Sequence, residues 1–324
     1  MTGTHETTVL VVGALHPHAV ERLGKTFRIE TLKEGDPALV TPELAARVRG
    51  IAANAVIDGP VMDALPNLEI IANFGVGYDK VDAVYAESAG VMVTNTPDVL
   101  TEEVADTTLG LLLDTVRELP QAQAWLREGK WENQGNYPLT KLSLRGRRVG
   151  IFGLGRIGKA VGRRIEAFGL PIAYHNRRKA DGVTYDYYPT LLELAEAVDT
   201  LIVVAPGGAG TEKTINAEVL RALGPDGVLI NIGRGSVVDE EALIEALGNG
   251  TIAAVGLDVF ADEPHVPQAL IDLPNATLLP HVGSASQATR RAMADLVVDN
   301  LIAWFGDGAP LTPVPETVNV KRHA

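Results

Sequence analysis

Cysteine is absent from the 324-residue sequence, which excludes disulfides, thiolate metal sites and thiol nucleophiles. Positive charge is in deficit. Lys and Arg number 28 against 41 Asp and Glu, a formal net charge of −13. That balance argues against a broad surface for nucleic acid or anionic membrane, while leaving room for a small basic pocket. Long hydrophobic runs are also missing. The N-terminal segment has no basic stretch, and its apolar run covers only residues 9–12. Neither a signal peptide nor a membrane span is expected, and a cytoplasmic protein is. There is no low-complexity segment and no short-period repeat. His5, His16 and His18 have no cluster of acids beside them, so surface positions and no metal site are expected there.

What remains is an ordinary globular composition, 46% hydrophobic and 21% charged, at a length that suggests two domains. Short apolar runs at 9–12, 51–53, 69–72, 91–94, 148–152, 171–175, 200–204, 227–232, 252–258 and 276–279 alternate with segments of helical period. Each is bounded by Gly, Pro, Asn or Asp, the pattern of β-α units around a parallel sheet buried on both faces. Segment 101–127 reads instead as a long helix. Thr101 is placed to cap it, Glu102 and Glu103 suit its positive end, and Val104, Leu109, Leu112, Leu113 and Val116 suit burial. Pro120 should kink or break it. A second helix, 287–304, precedes a Gly/Pro-rich stretch at 306–315 and could run back to the first domain. The strand-then-helix pattern of 9–24 faintly echoes 149–169, as two related α/β domains would.

Gly153-Leu-Gly155-Arg-Ile-Gly158 follows the predicted strand 148–152 and opens a helix with Ile157, Ala160, Val161, Ile165 and Phe168 on one face. Gly153 permits the tight turn, Gly155 lets backbone approach a pyrophosphate, and Gly158 lets helix and strand pack closely. The helix start offers free N–H groups to the anion. The next strand should end in an acid that holds the ribose 2′-hydroxyl of NAD. It ends instead in Asn176-Arg177-Arg178-Lys179. An acid would repel a 2′-phosphate, whereas Arg can bind it bidentately. NADP(H) is therefore expected over NAD(H), although a solvated loop would also account for the charges.

Arg234, Glu263 and His281 each fall at the end of a predicted strand, where open α/β sheets bind their ligands. Singly, each has an ordinary explanation: a helix cap, a solvated turn residue, a satisfied core histidine. Spacing alone does not bring the three together.

Taken in order, Asn73-Phe-Gly-Val-Gly-Tyr-Asp-Lys-Val-Asp82, GLGRIG, NIGRG, GLDVFADEP and LPHVGSAS resemble the D-isomer-specific 2-hydroxyacid dehydrogenases over residues 50–305. Within that family the chain is most similar to the glyoxylate/hydroxypyruvate reductases, including the plant hydroxyphenylpyruvate reductase branch. Asn176-Arg177-Arg178 points to that NADPH-using group. The resemblance implies two Rossmann-like, doubly wound parallel-sheet domains. The dinucleotide-binding domain, 99–287, would be inserted into a substrate-binding domain made of 1–98 and 288–324. It implies reduction of a small 2-keto acid to the D-2-hydroxy acid. Arg234 would hold the carboxylate and polarise the keto oxygen, and His281 would be the general acid. Glu263 would hydrogen-bond the imidazole and fix its tautomer. Val76 and Gly77 N–H groups would form an anion nest, with Ser284 beside the substrate. Leu154, Arg156, Ile157, Pro206, Thr211, Ile232, Asp258 and Gly283 would join the glycines and Asn176 to Arg178 around NADP(H). A homodimer is implied, with Trp125, Trp131 and Tyr137 either at its interface or in the core. Two rivals stand beside this reading. One is a non-catalytic dinucleotide-sensing scaffold on the same fold; the other is an NAD-linked dehydrogenase such as a phosphoglycerate dehydrogenase.

Overall fold

Strands that are apolar on both faces are buried only when helices cover both sides of their sheet. The short runs fold in that way in the computed structural model, which describes residues 6–322; His5 lies outside the described residues. The chain divides into two α/β units. One holds the residues up to Leu100 and those from Ala285 onward, and the other is Thr101–Ser284.

The first unit runs β1 (Thr8–Val12), α1 (Pro17–Thr26), β2 (Arg28–Leu32), α2 (Pro42–Ala45), β3 (Val48–Ala53), α3 (Gly59–Asp63), β4 (Ile70–Asn73), α4 (Ala83–Ser88) and β5 (Met92–Thr94). Its five-stranded sheet has the order β2-β1-β3-β4-β5, every pair parallel. The second unit runs α5 (Thr101–Arg117), α6 (Leu119–Arg127), α7 (Lys130–Gln134), β6 (Val149–Phe152), α8 (Arg156–Ala167), β7 (Ile172–His175), β8 (Asp186–Tyr187) and α9 (Leu191–Ala197). It continues through β9 (Thr200–Val203), α10 (Ala217–Leu223), β10 (Val228–Asn231), α11 (Glu240–Gly248), β11 (Ala254–Leu257), α12 (Gln268–Ile271) and β12 (Ala276–Leu278). Its seven-stranded parallel sheet has the order β12-β11-β10-β9-β6-β7-β8. Helix α13 (Gln287–Asp307) returns to the first unit and packs on α1 and β4.

Burial explains which strands were legible. β1, β4, β6, β9, β10 and β11 are buried at every position, and each enclosed Val, Leu or Ile contributes about 1.5–3 kcal/mol. The two strands that apolar patterning misses, β2 and β8, are sheet edges with half-exposed residues. An edge strand needs no continuous apolar run, because only one neighbour and part of one face cover it.

The long helix differs from expectation in two details. Thr101 is its first helical residue rather than its cap. The break falls at Glu118, in the left-handed region at φ 51°. Pro120 then sits in the first turn of α6, where its missing N–H costs no helical bond. No helix among the described residues is long and apolar enough to cross a membrane.

The order of the second sheet reverses at β6, which lies between β9 and β7. Ligands of open α/β sheets bind beyond the strand ends at such a point, and β6 is the strand that runs into the glycine loop.

Candidate active site

Two of the three loop glycines are required by the fold and one is not. Gly153 sits at φ 101°, and a Cβ there would come within 2.6 Å of the Ala205 nitrogen. A Cβ on Gly158 would collide with the Gly153 carbonyl oxygen. Gly155 has ordinary extended backbone, and a Cβ on it would meet nothing within 4 Å. It caps α8 with no side-chain bond to the helix start, so the first N–H groups of α8 are left for a ligand. That cradle fits the pyrophosphate of a dinucleotide.

The neighbouring polar residues divide by what they already hold. Leu154 is a core residue, and its N–H donates to Asn176 Oδ1 at 2.6 Å; Asn176 thus fastens the glycine loop to the end of β7. Arg156 and Ile157 open α8. Arg177 and Arg178 are exposed, and among the described residues their side chains have no hydrogen bond or ion pair. Thr211 Oγ1 donates to Pro206 O at 2.6 Å and closes the loop after β9. Ile232 is buried, its N–H bonded to Val203 O.

Arg234 follows β10 in extended conformation. Asn231, fully buried, donates from Nδ2 to Arg234 O at 2.9 Å and accepts at Oδ1 from Gly233 N–H, so the turn is set from beneath. Gly207 lacks the Cβ that would approach the Arg234 Cγ to 3.1 Å. The guanidinium bonds Gly233 O through Nη1.

His281 and Glu263 meet directly, with Nδ1 and Oε2 2.7 Å apart. Glu263 Oε1 accepts from the Phe260 N–H at 3.1 Å. Burial raises the Glu263 carboxyl, but the bonds from His281 and the Phe260 N–H, with the Arg234 charge, outweigh it and hold the group below the ordinary carboxylate value. Glu263 is therefore an ionised acceptor near neutrality, which puts the hydrogen of the pair on Nδ1. Nε2 is left for other chemistry, on a ring that is 46% exposed. His281 takes the left-handed conformation at φ 52°, an uncommon backbone for a bulky residue that surrounding bonds must enforce.

Asp258 supplies those bonds. It is 1% exposed, and its oxygens accept from Val282 N–H at 2.7 Å and Gly283 N–H at 2.8 Å. Burial pushes its carboxyl up, and the two N–H bonds offset part of that rise. Thr107 Oγ1, on α5, adds a bond to Gly283 O at 3.2 Å. Ser284 is half-buried at the end of this turn.

Within the first unit, the loop after β4 turns its carbonyls inward. Asn73 Nδ2 donates to Gly75 O at 3.2 Å and to Gly77 O at 3.0 Å, and Asn95 Nδ2 donates to Val76 O at 2.8 Å. The Val76 and Gly77 N–H groups make no hydrogen bond among the described residues. Two successive N–H groups left without a partner are available to an anion. Sequence reasoning picked out Val76 and Gly77 and quoted Asn73 within its motif without a role, but missed Asn95 and Thr107. An asparagine at a strand end was the available signal for the two asparagines, with a glycine turn after Asn73 and Pro97 after Asn95; Thr107 gave none.

His16 caps α1, and His18 Nε2 lies 2.7 Å from Asp295 Oδ1, so both serve packing within the first unit. Trp125 and Tyr137 stack edge-to-face with centroids 5.8 Å apart, while Trp131 is 58% exposed.

Comparison with known proteins identifies the family and the fold. Residues 109–283 match the family model described as the NAD-binding domain of D-isomer-specific 2-hydroxyacid dehydrogenase. The chain is 46% identical over 309 residues to a glyoxylate/hydroxypyruvate reductase of Arabidopsis thaliana, covering 94% of this chain and 98% of that one. It is 51% identical over 262 residues to the hydroxyphenylpyruvate reductase of Plectranthus scutellarioides, covering 81% and 83%. The crystal structure of an NADPH-dependent glyoxylate/hydroxypyruvate reductase from Sinorhizobium meliloti, in complex with NADP and malonate, has 59% identity and a TM-score of 0.94. The match covers 98% of this chain and 99% of that chain.

Proposed function

The chain belongs to the D-isomer-specific 2-hydroxyacid dehydrogenases, and on that premise we propose that it uses NADPH to reduce small 2-keto acids to D-2-hydroxy acids. It is an oxidoreductase. Glyoxylate and hydroxypyruvate head the candidate substrates, with a hydroxyphenylpyruvate-type acid as the larger one, following the names of its relatives. The observation that carries the reading is the His281–Glu263 pair at 2.7 Å, acting beside the Arg234 charge.

The open cradle at Gly155, with the start of α8, would take the pyrophosphate. Arg177 and Arg178 would take the 2′-phosphate, a role supported by their exposure and lack of partners among the described residues. When bound, the reduced nicotinamide supplies the hydride that the reaction needs. The chain's own residues have three tasks. The Val76 and Gly77 N–H groups hold the carboxylate. Arg234 stabilises the negative charge that grows on the keto oxygen. His281 donates the proton from Nε2 to that oxygen, while Glu263, ionised and bonded to Nδ1, keeps the ring oriented. In the reverse direction Nε2 takes the proton back.

Residence in the cytoplasm and assembly as a homodimer are part of the same proposal. The dimer is supported by α6, which has no buried residue, and by exposed Leu119, Leu126, Trp131 and Leu139 along and beyond it.

The test is NADPH oxidation followed by absorbance with glyoxylate, hydroxypyruvate and phenylpyruvate. Turnover is expected with at least the first two, and none with any keto acid would defeat the proposal. His281→Ala should lower kcat by about 10²–10⁴-fold while NADPH still binds. A near-normal kcat would remove His281 as the proton donor.

A further inference from the structure

The segment between β7 and β8 begins with Asn176, Arg177, Arg178 and Lys179, and tyrosines fasten it at two points. Tyr187 Oη donates to Asn176 O at 3.2 Å. Tyr174 Oη accepts from the Ala180 N–H at 3.0 Å. The two tyrosines are direct partners in the β7–β8 ladder, with ring centroids 5.3 Å apart. Tyr174 is fully buried, so the point it holds is set by the core. The Asn176 side chain is separately engaged with the Leu154 peptide. Residues 177–179 are thus a three-residue bend with both ends tied, carrying three cations whose side chains make no ion pair among the described residues. Like charges in succession repel one another. Left untied, such a segment spreads over many conformations, and ordering it would subtract from the affinity of any anion that binds there.

We propose that Tyr174 and Tyr187 are positioning residues for cofactor selectivity, bracing the bend so that its cations meet a 2′-phosphate without being ordered by it. This rests on the NADPH reading above. It also gives β8 a purpose: a two-residue edge strand adds little to the sheet but presents the Tyr187 hydroxyl to Asn176. The brace bonds the Asn176 carbonyl and the Ala180 N–H and leaves the Asn176 side chain on the glycine loop, so its removal should weaken NADP(H) and spare NAD(H). A merely structural role would weaken both alike.

The experiment is calorimetric titration of NADP⁺ and NAD⁺ into the full-length protein and its Tyr187→Phe and Tyr174→Phe variants, with hydrogen exchange of residues 177–180. Phe keeps the ring packing and deletes one hydroxyl. In Tyr187→Phe the ratio of the two Kd values should move toward NAD⁺ by about fivefold, the worth of one neutral hydrogen bond, with the NAD⁺ Kd unchanged and faster exchange in the bend. Tyr174→Phe should shift the ratio in the same direction. The double variant Arg177→Ala/Arg178→Ala is run beside them. If it loses NADP⁺ preference while both Phe variants keep the wild-type ratio, the cofactor reading stands and the brace is refuted. If the double variant also keeps its ratio, the cations do not select the cofactor and the brace falls with them. Equal weakening of both cofactors in the Phe variants likewise overturns the proposal.

Discussion

At the scale of single residues, the site depends on groups already committed to one partner before a substrate arrives. Glu263 is the clearest case, because its bonds keep it ionised. A carboxyl whose value is depressed by folding stabilises the protein above its unfolded-chain value, near 4.5, and loses that contribution as pH falls through the lower folded value. Glu263→Gln should therefore flatten the acid-side decline of Tm below about pH 4.5, as measured by thermal unfolding across a pH series. An unchanged decline would mean that the His281 pair does not stabilise the fold. The proposed anion nest makes a similar demand on Asn95. Asn95→Ala frees the Val76 carbonyl and should raise the keto-acid KM by about 5–10-fold while leaving the NADPH Kd unchanged, a split that initial-rate kinetics and titration would read. The motif positions Arg234, Glu263 and His281 stood out in sequence because charged groups at strand ends are conspicuous. Asn73, Asn95 and Thr107 did not, since their partners are backbone atoms that sequence does not locate.

At the scale of elements, the glycine loop separates what the fold needs from what a ligand needs. Gly158→Ala forces a Cβ into the Gly153 carbonyl and should cost at least about 1–3 kcal/mol of stability. Gly155→Ala meets open space, so Tm should hold while affinity for NADP⁺ falls at least about tenfold, the cost of crowding a backbone approach to pyrophosphate. Thermal unfolding and titration of the two variants should give opposite patterns, and equal destabilisation would contradict the assignment of Gly155 to the ligand. Periodicity found the buried strands because enclosure on both faces demands continuous apolar residues. It passed over β2 and β8 because Arg28–Leu32 and Asp186–Tyr187 lie at edges. The helix break was anticipated at Pro120, but the chain turns at Glu118, where a left-handed residue lets the proline enter a first turn.

At the scale of the whole molecule, the net charge of −13 places the basic residues at issue, Arg177, Arg178 and Arg234, against an acidic background. The exposed apolar residues of α6 and α7 bear on assembly. For the proposed homodimer, Trp131→Asp should shift sedimentation from dimer toward monomer without unfolding the protein, and an unaltered profile would exclude that face as the contact. The alternation of strands and helices, the glycine loop and the lack of an acid after β7 can all be read along the chain. Those features are local, set by side-chain type and spacing over a few residues. Folding in three dimensions is what brings His281 to Glu263, sets Asp258 and Thr107 to hold the turn beyond His281, and lets tyrosines 174 and 187 tie the cationic bend. Such contacts join residues 6 to 176 positions apart in the chain, and chain folding, not spacing, fixes their distance.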